Sequence, residues 1–199
     1  MKNVRKISDS VIDEFNVGYC PPEVPHQICG RIITPIYDVD GNLIVLSTRH
    51  LDKDHPCRFW HESFDKGSYL YSLNHAKYDI RIKDKVILVE GEFDVMALHS
   101  YGFKMTVGIL GSSVTLFQIA LLSRYCSEFY LLFDGDSAGK AATERAMKLY
   151  KDNKIKSYGI KFLPVFLPDG DDPDDFLLRE GPHNLKNKLA ESRENCITF

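Results

Sequence analysis

Acidic residues form three clusters in the second half of the chain. They occupy residues 90–94 (EGEFD), 134–136 (DGD) and 169–175 (DGDDPDD). Carboxylates a few ångströms apart repel one another, and a divalent cation between them removes that repulsion. Magnesium prefers oxygen ligands and keeps several waters, so a few carboxylates combined with substrate phosphates suit it. The clusters therefore predict a divalent-metal site.

The elements around these clusters have the pattern of a parallel sheet. Short apolar runs predict four strands, over residues 85–89, 105–110, 129–133 and 157–162. Helical patterns predict four helices, over residues 94–101, 115–125, 138–152 and 173–179, the first of them ended by Gly102. This alternation is typical of a parallel sheet with helices on both faces, whose functional groups collect at the carboxyl ends of the strands. Since each cluster follows a predicted strand, we expect all three at one edge of the sheet.

The spacing of Asp134 and Asp136 suits metal binding in particular. If the stretch is extended, side chains two residues apart face the same side. Two ions in such a site can bind the attacking and the leaving oxygen of a phosphoryl transfer. The alternative is that the acids only cap helices, with Asp136 or Ser137 before Ala138 and Asp172 before the last helix. Clusters at three strand ends favour metal binding.

Residues 1–84 have a different, turn-rich pattern. Ser8 is the predicted N-cap of a short helix with an apolar face. Two β-rich runs, at 31–37 and 42–48, flank an Asp-Gly turn and predict a hairpin, and residues 68–71 predict another short strand. We therefore expect a lobe at residues 1–84, a domain built on the parallel sheet at 85–181 and a C-terminal tail at 182–199.

Composition and charge restrict the class of protein. No run approaches the ~20 apolar residues that a membrane span needs, and the start has no apolar signal-peptide run. We therefore expect a cytoplasmic protein without membrane contact. The net charge of -3 argues weakly against nucleic-acid binding, although net charge does not describe local patches.

The cysteines indicate free thiols. Five are scattered along the chain without a C-x-x-C pair. A zinc site would have to combine Cys20, His26, Cys29, His55 and Cys57, whose spacing matches no ordinary zinc template. No zinc is therefore expected.

Three segments resemble the motifs of Toprim domains. They are residues 90–98 (EGEFDVMAL), 131–146 (LLFDGDSAGKAATERA) and 167–181 (LPDGDDPDDFLLREG). Upstream segments, at 5–21, 30–52 and 64–76, are similar to the N-terminal lobe of bacterial and phage primases. The resemblance covers about residues 5–181. It implies an α/β fold in which a Toprim domain, a parallel-type sheet flanked by helices, follows a small mixed α+β lobe.

The activity that the resemblance implies is RNA primer synthesis on single-stranded DNA by metal-dependent nucleotidyl transfer. Glu90 would be the acid near the reacting 3′ oxygen, as a metal ligand or general base. Asp94 would support the turn of residues 90–94. Mg²⁺ or Mn²⁺ ions contacting the nucleoside triphosphate would be held by Asp134, Asp136, Asp172 and Asp174.

The resemblance also places basic residues opposite phosphates. The positions that would face the template and the nucleotide are Arg31, Arg49, Arg58 and Lys66. Arginine suits phosphate through its bidentate fork, and the nearby Phe59, Trp60 and Tyr69 are able to stack on bases. Taken individually, each basic residue is better explained as a solvated surface charge. The match is weakest at Arg58, where the family has Pro-Lys-Tyr and this chain reads PCRF at 56–59.

The expected partners are single-stranded DNA, ribonucleoside triphosphates, a replicative helicase and a separate zinc-binding module. Bacterial primases carry an N-terminal zinc-binding domain, and further helices and a helicase-binding region after the Toprim domain. Here only residues 182–199 follow the third motif, so we expect either that other chains supply those parts or that the protein works without them. Two alternatives stay open: a Toprim-type nuclease that directs water with the same acids, and a non-catalytic primase-like subunit that recruits replication partners.

Overall fold

The computed structural model describes residues 6–195, apart from 24–26, 53 and 154. His26, considered above for zinc, lies outside the described residues, as do residues 196–199 of the predicted tail. The described part contains two four-stranded sheets, one antiparallel and one parallel. None of the described helices has the length and apolar character needed to span a membrane.

The N-terminal lobe is built on the antiparallel sheet. Helix α1 (Asp9–Glu14) begins at Ser8, whose side chain accepts a hydrogen bond from the Val11 amide, as the sequence predicts. The strands pair in chain order: β1 (Gly18–Cys20), β2 (Arg31–Tyr37), β3 (Leu43–His50) and β4 (Phe59–His61). The predicted hairpin is confirmed, and Asp38 stabilises its turn by accepting hydrogen bonds from the amides of Asp40 and Asn42.

The second part is an alternation of strands and helices. Its elements are α2 (Leu73–Lys83), β5 (Lys85–Val89), α3 (Glu92–Ser100), β6 (Thr106–Gly108), α4 (Leu116–Leu122), β7 (Glu128–Leu131), α5 (Ser137–Asp152), β8 (Lys161–Pro164) and α6 (Pro173–Asn195). All pairings are parallel, in the order β6-β5-β7-β8. Strand β5 lies inside this order and its apolar residues are fully buried, which explains its continuous apolar sequence.

Two predicted strands are wrong in position. Residues 155–158 form a 3₁₀ turn, and Gly159 follows at a φ of 78°, so β8 begins only at Lys161. Residues 66–68 also form a 3₁₀ turn, because the side chain of Asp65 accepts hydrogen bonds from the Gly67 amide and the Ser68 hydroxyl. Tyr71, at the end of the other predicted strand, makes a single bridge to Gly108.

The predicted C-terminal tail is mostly helix. Helix α6 continues past Gly181, where a φ of 80° produces a kink, and runs to Asn195. Leu185 and Leu189 are buried, and the Ser192 hydroxyl donates a hydrogen bond of 2.7 Å to the carbonyl of Pro164 on β8. This second half of α6 therefore packs on the outer strand of the parallel sheet.

Candidate active site

A cleft of about 390 Å³ lies between the antiparallel sheet and the carboxyl-terminal edge of the parallel sheet. One wall carries carboxylates from all three acidic clusters: Glu90, Asp94, Asp134 and Asp172. The opposite wall carries basic and aromatic side chains: Arg49, Phe59, His61, Phe64 and Lys66. A larger cavity, about 710 Å³, lies elsewhere between α4 and residues 153–160, but the acidic clusters do not line it. We therefore place the functional site in the smaller cleft.

A hydrogen bond between the loops that follow β7 and β8 connects the second and third acidic clusters. The Gly135 amide donates a hydrogen bond of 2.8 Å to the carbonyl of Asp171. A Cβ on Gly135 would lie 2.1 Å from the carbonyl oxygen of Pro168, and one on Gly139 would lie 2.1 Å from the carbonyl oxygen of Asp134. Only glycine fits at either position, because these are contacts with backbone. The DGD loop is therefore packed tightly against the DGDDPDD loop.

Glu90 has a perturbed carboxyl group at this edge. Burial raises the pKa of its carboxyl group, and the like charge of Asp136 raises it further, against the backbone amide of Asp134 and the guanidinium of Arg145, which lower it. Its Oε1 atom is buried and has no hydrogen-bond partner in the part of the chain that the structure describes. A half-buried carboxylate with an unsatisfied oxygen is suited to accepting a proton or binding a cation.

Asp136 and Asp172 both cap helices, as the capping alternative expects. Asp136 Oδ1 accepts a hydrogen bond of 2.8 Å from the Gly139 amide, and Asp172 Oδ1 accepts one of 2.7 Å from the Asp175 amide. Each residue is thus an N-cap, of α5 and α6 respectively. A carboxylate has two oxygens, so capping through Oδ1 is compatible with metal binding through Oδ2. The two functions do not exclude each other.

The structure does not bring every predicted acid to the cleft wall. Asp136 lies close enough to raise the pKa of Glu90 but is not among the residues lining the cleft. Asp174 is also absent from the lining and is only 1% exposed, in the first turn of α6. Asp94 lines the cleft. Its side chain also lies close to the backbone of the turn of residues 90–94, since a Cβ on Gly91 would be 3.1 Å from Asp94 Oδ2.

Of the four predicted basic residues, Arg49 and Lys66 line the cleft. The guanidinium carbon of Arg49 lies 4.8 Å from the centre of the Phe93 ring and 5.3 Å from that of Phe59. Both distances permit cation–π attraction between the guanidinium and a ring. Lys66 reaches the same cleft from the 3₁₀ turn that follows the antiparallel sheet.

Arg31 and Arg58 do not line the cleft. Arg31 is 3% exposed and donates hydrogen bonds to the carbonyls of Gln27, Cys57 and Arg58. It therefore fastens the start of β2 to the segment before β4, and its guanidinium is not presented to a template. Arg58 lies with its guanidinium carbon 5.5 Å from the centre of the Phe59 ring.

Sequence reasoning missed His61 as a cleft residue. It lies on β4, which was not predicted, opposite Ser47 of β3, while Phe59 lies opposite Arg49. Side chains two residues apart share one face of a strand, so Phe59 and His61 both face the cleft with their partners. The alternation of residues 59–61 was too short a signal to identify this strand.

The donor set at the acidic edge fits a hard divalent cation that is shared with a substrate. The part of the chain that the structure describes has no group of three or more His, Cys, Asp or Glu side chains positioned to hold a metal ion. Such spacing is expected where a cation takes only one or two protein carboxylates and completes its coordination with water and phosphate oxygens. The four cysteines in the described residues are free.

Residues 87–177 match a family model described as Toprim-like. They include the end of β5, the DGD loop and the start of α6, and so contain the whole acidic edge. The parallel sheet with its three acidic clusters is therefore a Toprim-like domain.

Comparison of the whole chain defines the protein further. The DNA primase of Aquifex aeolicus (strain VF5) is 35% identical over 168 residues, covering 82% of this chain and 33% of the relative. A crystal structure of the Aquifex aeolicus primase, with zinc-binding and RNA polymerase domains, has a TM-score of 0.82 at 30% identity, covering 94% of this chain and 53% of that chain. A DnaG primase catalytic domain bound to single-stranded DNA has a TM-score of 0.82 at 28% identity, covering 96% and 69%.

Both the antiparallel lobe and the Toprim-like domain are included in these matches. The chain belongs to the bacterial-type DNA primases and corresponds to their catalytic core. It spans about a third of the length of the Aquifex aeolicus primase.

Proposed function

We propose that this chain catalyses RNA primer synthesis on single-stranded DNA. The observation that supports the proposal most directly is the cleft in which Glu90, Asp134 and Asp172 face Arg49 and Lys66. The triphosphate of a nucleotide needs positively charged side chains to bind it, and the reacting hydroxyl needs a carboxylate to accept its proton. A single cleft offers both.

In this proposal the basic wall binds the incoming ribonucleotide. Arg49, whose guanidinium lies near two aromatic rings, and Lys66 contact its triphosphate, and the aromatic rings of this wall are able to stack on bases. Arginine gives directional, bidentate contacts, whereas the lysine ammonium acts as a point charge. Together they orient the α-phosphate toward the acidic edge.

Glu90 receives the proton of the primer 3′ hydroxyl. Its raised pKa makes the carboxylate a better proton acceptor than an ordinary solvent-exposed glutamate. The 3′ oxygen forms a bond to the α-phosphorus, the bond from that phosphorus to the bridging oxygen breaks, and pyrophosphate leaves. Atoms and charge balance without any further reactant.

The divalent cations would be held at the cleft wall by Asp134 and Asp172. Asp136, which lies near Glu90, would be a further ligand, whereas the buried Asp174 would have to act from behind the lining. Metal dependence is general in the Toprim and primase families, and Mg²⁺ or Mn²⁺ suits these hard oxygen donors. When bound, such a cation neutralises phosphate charge and stabilises the attacking and leaving oxygens. Asp136 and Asp172, already fixed as helix caps, have their carboxylates oriented before any cation arrives.

The partners follow from the relatives. The matching structures include a primase domain bound to single-stranded DNA and a primase with a zinc-binding domain. We extend both associations to this chain, with single-stranded DNA as template and a zinc-binding module as a further partner. A replicative helicase would be a further partner, and the cytoplasm, where bacterial DNA is replicated, the site of action.

Primer synthesis on single-stranded DNA with four labelled ribonucleotides tests the proposal. Mg²⁺ and Mn²⁺ are compared for the native protein, for Glu90→Gln and Asp134→Asn, and for Asp79→Asn. Asp79 lies on α2, paired with Lys83, and is a matched control outside the cleft. We expect short RNA products from the native protein and the control, and a loss of at least about 100-fold in the two cleft variants.

Other outcomes identify the alternatives. Cleavage of DNA or RNA without nucleotides, lost in the same variants, would contradict the proposal in favour of a nuclease. Binding of helicase or zinc-module proteins that persists in a double Asp134→Asn, Asp136→Asn variant, with no synthesis from native protein in their presence, would favour a non-catalytic subunit.

A further inference from the structure

A buried glutamine joins the acidic edge to the turn that carries Lys66. Gln118 on α4 is 0% exposed. Its Nε2 donates to the carbonyls of Tyr69 at 2.7 Å, Ile109 at 3.1 Å and Lys66 at 3.2 Å, while its Oε1 accepts from the Thr115 amide at 3.1 Å. An amide nitrogen carries two hydrogens, so one of them is shared between two carbonyls. Every polar atom of this side chain is thus used.

The hydroxyl of Thr115 strengthens the same connection. It donates a hydrogen bond of 2.7 Å to the carbonyl of Gly67, and it also caps α4 by accepting one from the Gln118 amide. A Cβ on Gly67 would lie 3.1 Å from the Thr115 methyl group, so glycine allows this close approach. The start of α4 therefore binds the carbonyls of residues 66, 67 and 69.

The hydrogen bonds of Gln118 and Thr115 connect the basic wall of the cleft with its acidic wall. The 3₁₀ turn Lys66–Ser68 carries one of the two basic residues proposed to bind triphosphate. Ile109 follows β6, and the next two residues, Leu110 and Gly111, line the cleft beside the acids. Gln118 itself does not line the cleft. Its hydrogen bonds set where the backbone of the basic turn lies relative to the acidic edge.

The position of that backbone matters for a lysine. The side chain has a flexible stem and no directional fork, so the location of its ammonium depends on its backbone anchor. A loose turn would also increase the conformational entropy that nucleotide binding must remove.

We propose that Gln118, together with Thr115, is a positioning residue that fixes Lys66 for binding of the nucleoside triphosphate. This inference rests on the proposed function of the cleft. Gln118 touches neither substrate nor metal, and its effect on nucleotide affinity passes through Lys66.

A double-mutant cycle on the full chain tests the inference. Gln118→Met keeps the length of the side chain and removes its donors, and it is made in the native protein and in Lys66→Ala. The dissociation constant for ATP with Mg²⁺ is measured by titration calorimetry, and each variant's melting temperature is recorded. We expect Gln118→Met to weaken ATP binding about tenfold in the native protein and less than about twofold in Lys66→Ala.

Two further variants support the interpretation. Ser123→Ala removes a hydroxyl at the other end of α4, which bonds only the Ala120 carbonyl among the described contacts, and should leave ATP affinity unchanged. If Gln118→Met does not fold, Thr115→Val, which removes the hydroxyl, takes its place in the double-mutant cycle. Thr115→Ser keeps the hydroxyl and should bind ATP with native affinity.

Equal weakening in both backgrounds would overturn the inference, because Gln118 would then act through the fold and not through Lys66. Unchanged ATP binding in Lys66→Ala would overturn it as well. Nucleotide affinity is measured directly, so failure of the native protein to make primers would count against the proposed function alone.

Discussion

Replacing Gly135 with alanine is expected to destabilise the protein and disrupt the acidic edge. The new Cβ would lie 2.1 Å from the carbonyl oxygen of Pro168, whereas real Cβ atoms essentially never approach a neighbour within 3.0 Å. The backbone must therefore move by at least the difference, 0.9 Å. That movement stretches the 2.8 Å hydrogen bond from the Gly135 amide to the Asp171 carbonyl.

The magnitude follows from these two contacts. Overpacking typically costs about 1–3 kcal/mol, and a weakened hydrogen bond adds about 1 kcal/mol. We therefore expect Gly135→Ala to lower the free energy of unfolding by about 2–4 kcal/mol, which corresponds to a melting temperature lower by roughly 4–16 °C for a chain of this size. Primer synthesis should fall as well, because Asp134 and Asp172 no longer hold their relative positions.

Thermal unfolding followed by circular dichroism measures the effect. Gly18→Ala is the matched control, since its Cβ would lie 4.0 Å from the nearest atom, the Ile33 Cβ, and its φ is ordinary. We expect that control to stay within about 0.5 kcal/mol of the native protein. A melting temperature for Gly135→Ala equal to that of the control would refute the close packing of the two acidic loops.

Three further predictions concern charge. Burial raises the pKa of Glu90, so the stability that its protonated form contributes is present below the unfolded pKa and is lost as pH rises through the folded pKa. Glu90→Gln should therefore be more stable than the metal-free native protein in a denaturant titration at neutral pH. A less stable variant would contradict this. Burial lowers the pKa of His99 to about 4, so up to about 3 kcal/mol of stability should disappear as pH falls from 6.5 toward 4. The free energy of unfolding of His99→Leu should therefore depend less on pH over this range. The same pH dependence in the variant and the native protein would contradict the prediction. Arg49→Lys should weaken ATP binding at least about fivefold in titration calorimetry, since an ammonium lacks the bidentate fork of the guanidinium that lies near Phe59 and Phe93. Native affinity in this variant would exclude that role.

The acidic edge could be predicted from sequence because its signals are local. Continuous apolar runs identify buried parallel strands, and a carboxylate directly after such a run lies at the carboxyl end of the sheet. Glu90 and Asp134 follow their strands in this way, and both line the cleft. The capping by Asp136 and Asp172, which was the alternative interpretation of these acids, depends on short-range geometry and was also visible in the sequence.

The basic wall could not be predicted in the same way because it depends on tertiary contacts. Nothing in the neighbourhood of Arg31 shows that its guanidinium satisfies three backbone carbonyls, one of them 27 residues away. The strand predicted at residues 68–71 begins on the 3₁₀ turn Lys66–Ser68, whose shape is determined by Asp65 and by Gln118, 52 residues beyond Lys66. Helix α2, with few buried residues and a weak apolar face, also escaped prediction.

Extension of an RNA primer already annealed to a DNA template tests most directly whether the cleft is a nucleotidyl-transfer site. This assay removes any need for partner chains in initiation and measures addition of one ribonucleotide in Mg²⁺ or Mn²⁺. We predict a primer longer by one nucleotide, with pyrophosphate released, from the native protein and Asp79→Asn, and at least about 100-fold less from Glu90→Gln and Arg49→Ala. No extension by the native protein with either cation, or equal extension by all four proteins, would contradict the assignment of this cleft.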